Sequence, residues 1–121
     1  MKYDDNNIFA IILRGEIPCK KIYEDEFVLS FYDINPQKKV HALVIPKGKY
    51  TDLDDFSSNA STEEMVGLLK GINTVAKKLG ISTDTGKGYR ALANISEDGG
   101  QEVPHLHFHL FGGEKIGKMV Q

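Results

Sequence analysis

From residue 105 to residue 110 the chain reads His-Leu-His-Phe-His-Leu, a strict alternation of imidazole and apolar side chain. A period of two belongs to a strand. Leu106 to Phe111 is therefore expected to be a β-strand, with His105, His107 and His109 on one face about 7 Å apart and Leu106, Phe108 and Leu110 on the other. The apolar side of such a strand needs a core to cover it. With 121 residues, 40% of them hydrophobic and 26% charged, the chain has material for one small core, so residues 1–121 are expected to form a single soluble domain.

The rest of the chain supplies the partners of that strand. Ile8, Phe9, Ile12 and Leu13 recur at helical spacing behind the cap candidates Asp5 and Asn6, which predicts a short helix ending near Gly15. Ile22–Tyr23 and Phe27–Tyr32 read as a hairpin around the acidic turn Glu24-Asp25-Glu26, and His41–Ile45 as a third strand closed by Pro46. Tyr50 to Phe56 reads as one loose helical turn, followed by a loop at Ser58–Ser61. Ser61 and Glu64 have capping-box spacing, and Met65, Leu68, Leu69, Ile72, Val75, Ala76 and Leu79 form an apolar stripe, so a helix of about 18 residues is expected before Gly80. Tyr89–Asn94 alternates as a fourth strand, and Asp98-Gly99-Gly100 reads as a turn. Hairpins mixed with two segregated helices predict an α+β fold with a largely antiparallel sheet.

Charge narrows the partners. The chain carries 15 Lys+Arg against 17 Asp+Glu, a formal net charge of −2, which offers no broad attraction to nucleic acid or an anionic membrane surface. Only two of the basic residues are arginines, Arg14 and Arg90, too few for a polyphosphate clamp of several Arg forks. A lone Cys19 forms no internal disulfide and reads as a small packed thiol. The run Ile8 to Leu13 is too short for a signal peptide or a membrane span, so a cytoplasmic location is expected.

Three chemistries suit the histidines. They could decorate a solvated sheet face, or hold zinc through His at i and i+2 with a third ligand from elsewhere. They could also act on phosphate, one neutral imidazole attacking phosphorus while its neighbours bind oxygens or move protons near pH 7. The segment Glu97-Asp98-Gly99-Gly100-Gln101-Glu102-Val103-Pro104 favours the last, because paired glycines can turn successive backbone amides toward an anion.

The string Asn94 to Phe111, ending His-Leu-His-Phe-His-Leu-Phe, resembles the signature of the histidine triad family, in which three histidines alternate with apolar residues. The likeness extends to Ile8-Phe9-x-x-Ile12, Glu16-Ile17-Pro18, Phe31-Tyr32-Asp33-Ile34-Asn35-Pro36 and His41-x-Leu43-Val44-Ile45-Pro46-Lys47, nearly the whole chain. It looks most like the Hint branch of nucleoside phosphoramidate hydrolases. That resemblance implies a five-stranded antiparallel sheet with two helices, pairing into a ten-stranded sheet in a homodimer. It implies hydrolysis of the P–N bond of a purine nucleoside 5′-phosphoramidate, without metal or other cofactor. His107 would be the nucleophile, His109 would contact the phosphate and the scissile atom, and His105 would position His107 partly through its backbone carbonyl. His41 would stand beside His105. Asp33 would bind the ribose, Asn94 and the turn Gly100, Gln101, Glu102 the α-phosphate, and Ile8, Phe9, Ile12, Phe31 and Ile34 would line the base slot.

Read without the family, Asp33 is as well explained as a turn residue, and Ile8, Phe9 and Ile12 as core. Glu102 stands where many Hint proteins carry a serine, and the tail Gly112 to Gln121 lacks the Trp-bearing ending of animal members. Two other readings remain: hydrolysis of dinucleoside polyphosphates, and a nucleotide-binding regulator whose hydrolysis is incidental.

Overall fold

The structure, a computed structural model, describes residues 2–120. Five strands, β1 (Lys21–Glu24), β2 (Val28–Tyr32), β3 (Val40–Pro46), β4 (Arg90–Leu92) and β5 (Phe108–Gly112), form one sheet in the order β1-β2-β3-β5-β4. Every neighbouring pair is antiparallel. The last strand in sequence thus lies between the third and the fourth.

Four helical segments, rather than the two expected, accompany the sheet: α1 (Ile8–Leu13), α2 (Leu53–Asn59), α3 (Thr62–Lys78) and the single turn α4 (Ser96–Gly99). The expected loose turn near Phe56 is α2. The Asp52 carboxylate accepts from Asp55 N, and the Asp55 carboxylate in turn accepts from Thr51 N, so two aspartates close its first turn and carry it through residues expected to be loop. The capping box of α3 is present as read, with Ser61 Oγ accepting from Glu64 N and Glu64 Oε1 from Ser61 N. Leu69 departs from the stripe, being 68% exposed.

Strand parity divides the core. Val28, Ala42, Val44 and Leu110 face α3 and pack with Leu68, Ile72 and Val75. The helix lies close because Gly67 and Gly71 face the sheet: a Cβ on Gly67 would stand 2.5 Å from the Phe27 ring, and one on Gly71 2.7 Å from Val28 Cγ2. Leu29, Phe31, Leu43 and Ile45 point the opposite way, into a smaller cluster with Phe9 of α1. Both faces of β2 and β3 are buried, which explains their nearly continuous apolar sequences.

The strand expected at Leu106–Phe111 begins only at Phe108. Leu106 N donates to Tyr50 O rather than to a sheet neighbour and His105 N to Val103 O, so His105, Leu106 and His107 approach the sheet as an irregular leg that starts in a bend. The parity survives: Leu106 and Leu110 are buried in the core, and Phe108 packs against it. The fourth strand is likewise shorter than expected, three residues, because beyond Leu92 the chain leaves the sheet toward α4.

Candidate active site

Three elements converge on the face opposite α3. Strand β5 brings His109, paired in register with Leu43 of β3; the leg before it brings His107; and α1 closes over them. Asn7 starts α1 by accepting from Phe9 N and Ala10 N with one side-chain oxygen, and its amide donates to Asp4 O. That cap sets Phe9 edge-on to His107, with ring centroids 4.9 Å apart.

The hydrogen bonds determine where each imidazole carries its proton. Pro46 O can only accept, so His105 Nε2–H donates to it at 2.8 Å, and His105 Nδ1 accepts from the Tyr3 hydroxyl at 2.6 Å. Both nitrogens of His105 are thereby committed, and burial pushes its pKa down to about 4. The carbonyl of His105 in turn accepts from His107 Nδ1 at 2.7 Å, which leaves the lone pair of His107 on Nε2. That nitrogen has no protein partner, and no buried side-chain nitrogen or oxygen among the described residues lacks one, so Nε2 lies at the cavity surface. Burial lowers the pKa of His107, partly offset by the His105 carbonyl and by Asp33 and Glu102.

A second relay runs through His41. Gln37 N–H donates to His41 Nδ1 at 3.2 Å, so neutral His41 keeps its proton on Nε2. That proton lies between His109 Nδ1 at 2.9 Å and Asp33 Oδ2 at 3.4 Å. Accepting it on Nδ1, His109 carries its own proton on Nε2. Burial, reinforced by His107 and His41, pushes the pKa of His109 down to about 4, and burial lowers that of His41 against the pull of Asp33. At neutral pH the four rings are uncharged, with one bare nitrogen on His107 and one N–H on His109 left for a ligand.

A cavity of about 540 Å³ collects Ile8, Phe9, Ile12, Phe31, Asp33, Ile34, Asn94, Gly100, Glu102, His107 and His109, a size suited to a small-molecule ligand. Three other expected residues stand behind it. His105 supports His107 from within the core. His41 is beside His109 rather than beside His105 as expected, because β3 pairs directly with β5 and the His105 leg lies outside the sheet. Gln101 does not line the cavity; its side chain donates to Thr51 O and Val103 O and accepts from Ser96 N, tying the glycine turn to the loop before α2. Within that turn Ser96 has φ +59 and Gly100 φ +76. The left-handed conformation at Gly100 is the one a glycine adopts without strain.

Several residues of the candidate site escaped the sequence reading. Tyr3 is 102 positions from its partner His105, and the Gln37 amide that sets the tautomer of His41 belongs to a loop; neither leaves a periodic signal. Leu43 and Val103, which also line the cavity, could have been found from the parity of β3 and from proximity to the triad.

One ligand atom from each of Asp33, His41 and His109 lies within 4.8 Å of the others, a set a metal ion could use in place of the consecutive histidines considered from sequence. Its His41 nitrogen, however, carries the proton that Gln37 forces onto it, and that arrangement suits a proton relay better than a ligand shell. Among the described residues no helix is long and apolar enough to cross a membrane.

The HIT domain model matches residues 14–116. An uncharacterized HIT-like protein of Azospirillum brasilense is 54% identical over 118 residues, covering 98% of this chain and 94% of its own. The purine nucleoside phosphoramidase of Escherichia coli K12 is 38% identical over 117 residues, covering 96% and 94%. Among solved structures, a HIT family hydrolase from Clostridium thermocellum superposes with a TM-score of 0.85 at 38% identity, over 98% of this chain and 99% of that one.

Proposed function

The chain belongs to the HIT domain family, and from that premise we propose that it is a nucleotide hydrolase that cleaves the P–N bond of purine nucleoside 5′-phosphoramidates. The observation that carries this reading is the 2.7 Å hydrogen bond from His107 Nδ1 to the carbonyl of His105, which leaves an unprotonated Nε2 at the surface of a cavity. An imidazole so held is a ready nucleophile at neutral pH.

In the proposed reaction His107 Nε2 attacks the α-phosphorus, the P–N bond breaks, and His109 Nε2–H gives its proton to the departing amine nitrogen. The nucleotidyl-imidazole is cationic, and the carbonyl of His105 stabilises it through Nδ1–H. Water then attacks phosphorus and yields a proton to His109, the P–Nε2 bond breaks, and the nucleoside monophosphate leaves. The roles assigned to the remaining residues are of the same proposed kind: base between the α1 isoleucines and Ile34, ribose at Asp33, α-phosphate near Asn94 and Gly100. The Escherichia coli relative named a purine nucleoside phosphoramidase supports the choice of substrate.

Turnover of adenosine 5′-phosphoramidate to AMP, undiminished by EDTA, is the expected result, with a nucleotidyl adduct on His107 trapped by acid quench and located by peptide mass. Activity lost to EDTA and restored by zinc would overturn the metal-free scheme. AMP binding without turnover would instead leave a nucleotide-binding regulator. We propose further that two copies pair edge to edge into one continuous sheet, β1 and β4 being its two edge strands. Sedimentation at twice the chain mass is the expected result.

A further inference from the structure

The charges around the cavity bear on which amine leaves, an inference that rests on the phosphoramidate reading above. Asp33 and Glu102 line it and, among the described residues, no Lys or Arg does; Lys20 and Lys39 line the pocket that adjoins it across Ile8, Ile12, Phe31, Asp33 and Ile34, which Glu102 does not line. With both cavity imidazoles held neutral by burial, the walls offer two carboxylates and no fixed positive charge before an anionic phosphoryl group arrives.

The two carboxylates are not equivalent. Asp33 is engaged on both oxygens, Oδ1 accepting from Asn35 N at 2.8 Å and Oδ2 lying 3.4 Å from His41 Nε2, beside the apolar wall of Phe31 and Ile34. Glu102 forms no ion pair or side-chain hydrogen bond with any described residue, and it is exposed on the Asn94, Gly100 and Val103 side. If the nucleoside occupies the apolar wall, Glu102 faces the phosphoryl group and what it carries. A carboxylate there repels a second phosphate or an acidic leaving group and attracts a cation.

We propose that Glu102 is a specificity residue that selects phosphoramidates whose leaving amine bears a second, protonated amino group on a short chain. The distal ammonium ion-pairs with the carboxylate at the cavity rim. The chemical step is unaltered in its balance: the scissile nitrogen takes its proton from His109 as the P–N bond breaks, the diamine departs with its distal ammonium still protonated, and Glu102 neither gives nor takes a proton.

The test compares kcat/KM for three adenosine 5′-phosphoramidates, N-(4-aminobutyl), N-pentyl and N-(3-carboxypropyl), at low salt. The order cationic, neutral, anionic is expected, with roughly fivefold between successive members, as suits an ion pair at a partly exposed rim. Salt at about 0.5 M should compress the spread. In Glu102→Gln the three values should converge, and in Glu102→Lys the order should invert. Equal rates for the three in the unmodified chain, or an order that persists in Glu102→Gln, would overturn the assignment while leaving the hydrolase reading standing. Failure to turn over any of the three would overturn that reading and this inference together.

Discussion

Against one face of the sheet lies α3, 17 residues long; against the other lies α1, with six. The α3 side is filled by Val28, Ala42, Val44, Leu110 and the apolar stripe of the helix, with Tyr23 packed at its border and the buried Ser30 hydroxyl donating to Leu43 O. The α1 side buries His41, His105, His107 and Asn7 beside Phe9, Leu29 and Phe31. A long helix covers its face and leaves no room, whereas a short one covers part of its face and leaves a cavity whose polar walls must be satisfied by one another. Stability and chemistry are thus expected to separate by face.

The largest effect that could break this division is His107→Ala, expected to lower kcat by on the order of 10⁴ while AMP binding is retained. Near-normal turnover in that variant would remove the nucleophile from the α1 face. Leu68→Ala, on α3, is expected to cost about 2 to 5 kcal/mol in denaturant unfolding with kcat per folded molecule retained. A loss of kcat to match would show that the faces are coupled.

Acid sharpens the contrast. Imidazole at its ordinary 6.5 in the unfolded chain is pushed to about 4 at His105 and His109, so between those values the unfolded chain binds protons that the folded chain refuses. The contribution of these two rings to stability is complete above pH 6.5 and is lost as pH falls toward 4, His105 alone contributing at most about 3 kcal/mol. Melting temperatures measured from pH 8 to pH 4.5 should fall with the same slope in Leu68→Ala as in the parent, since the titrating groups lie on the other face. A flat profile would contradict the burial of these rings as neutral species. The smallest effect is expected from Asn7→Ala, about 1 kcal/mol of stability through the lost cap, together with a rise in KM as α1 loosens over the cavity. An unchanged KM would mean that α1 does not shape the site.

Much of this was legible in the chain. The capping box at Ser61, the strands around Phe31 and Val44 and the alternation through Leu110 are local patterns, and their physics is local too. His105, His107 and His109 could be named from their alternation, whereas His41 and Asp33 could be named only because the family signature ties them to it. What could not be read was three-dimensional reciprocity. Nothing near His41 indicates that it meets His109 and not His105, because that depends on β3 and β5 being neighbours across a long connection. The anchoring of His105 by Tyr3 depends on the path of the N-terminal segment, and the reassignment of Gln101 from ligand contact to loop tie depends on where Thr51 comes to rest. The shortened fifth strand follows from Leu106 N finding Tyr50 O, a competitor that alternation alone cannot foresee.

The insertion of β5 between β3 and β4 bears on how the protein is made. Residues 108–112 pair with β3, whose residues emerge from the ribosome some seventy positions earlier, so the open edge of β3 waits through synthesis of α2, α3 and β4 before it is filled. Contacts of such sequence separation slow folding, and an unpaired apolar strand held open in a nascent chain invites association with other chains. His107 and His109, to which we assign the chemistry, arrive with the strand that closes this gap and the residues just before it. Competence for chemistry and relief from aggregation are thus acquired in the same late event.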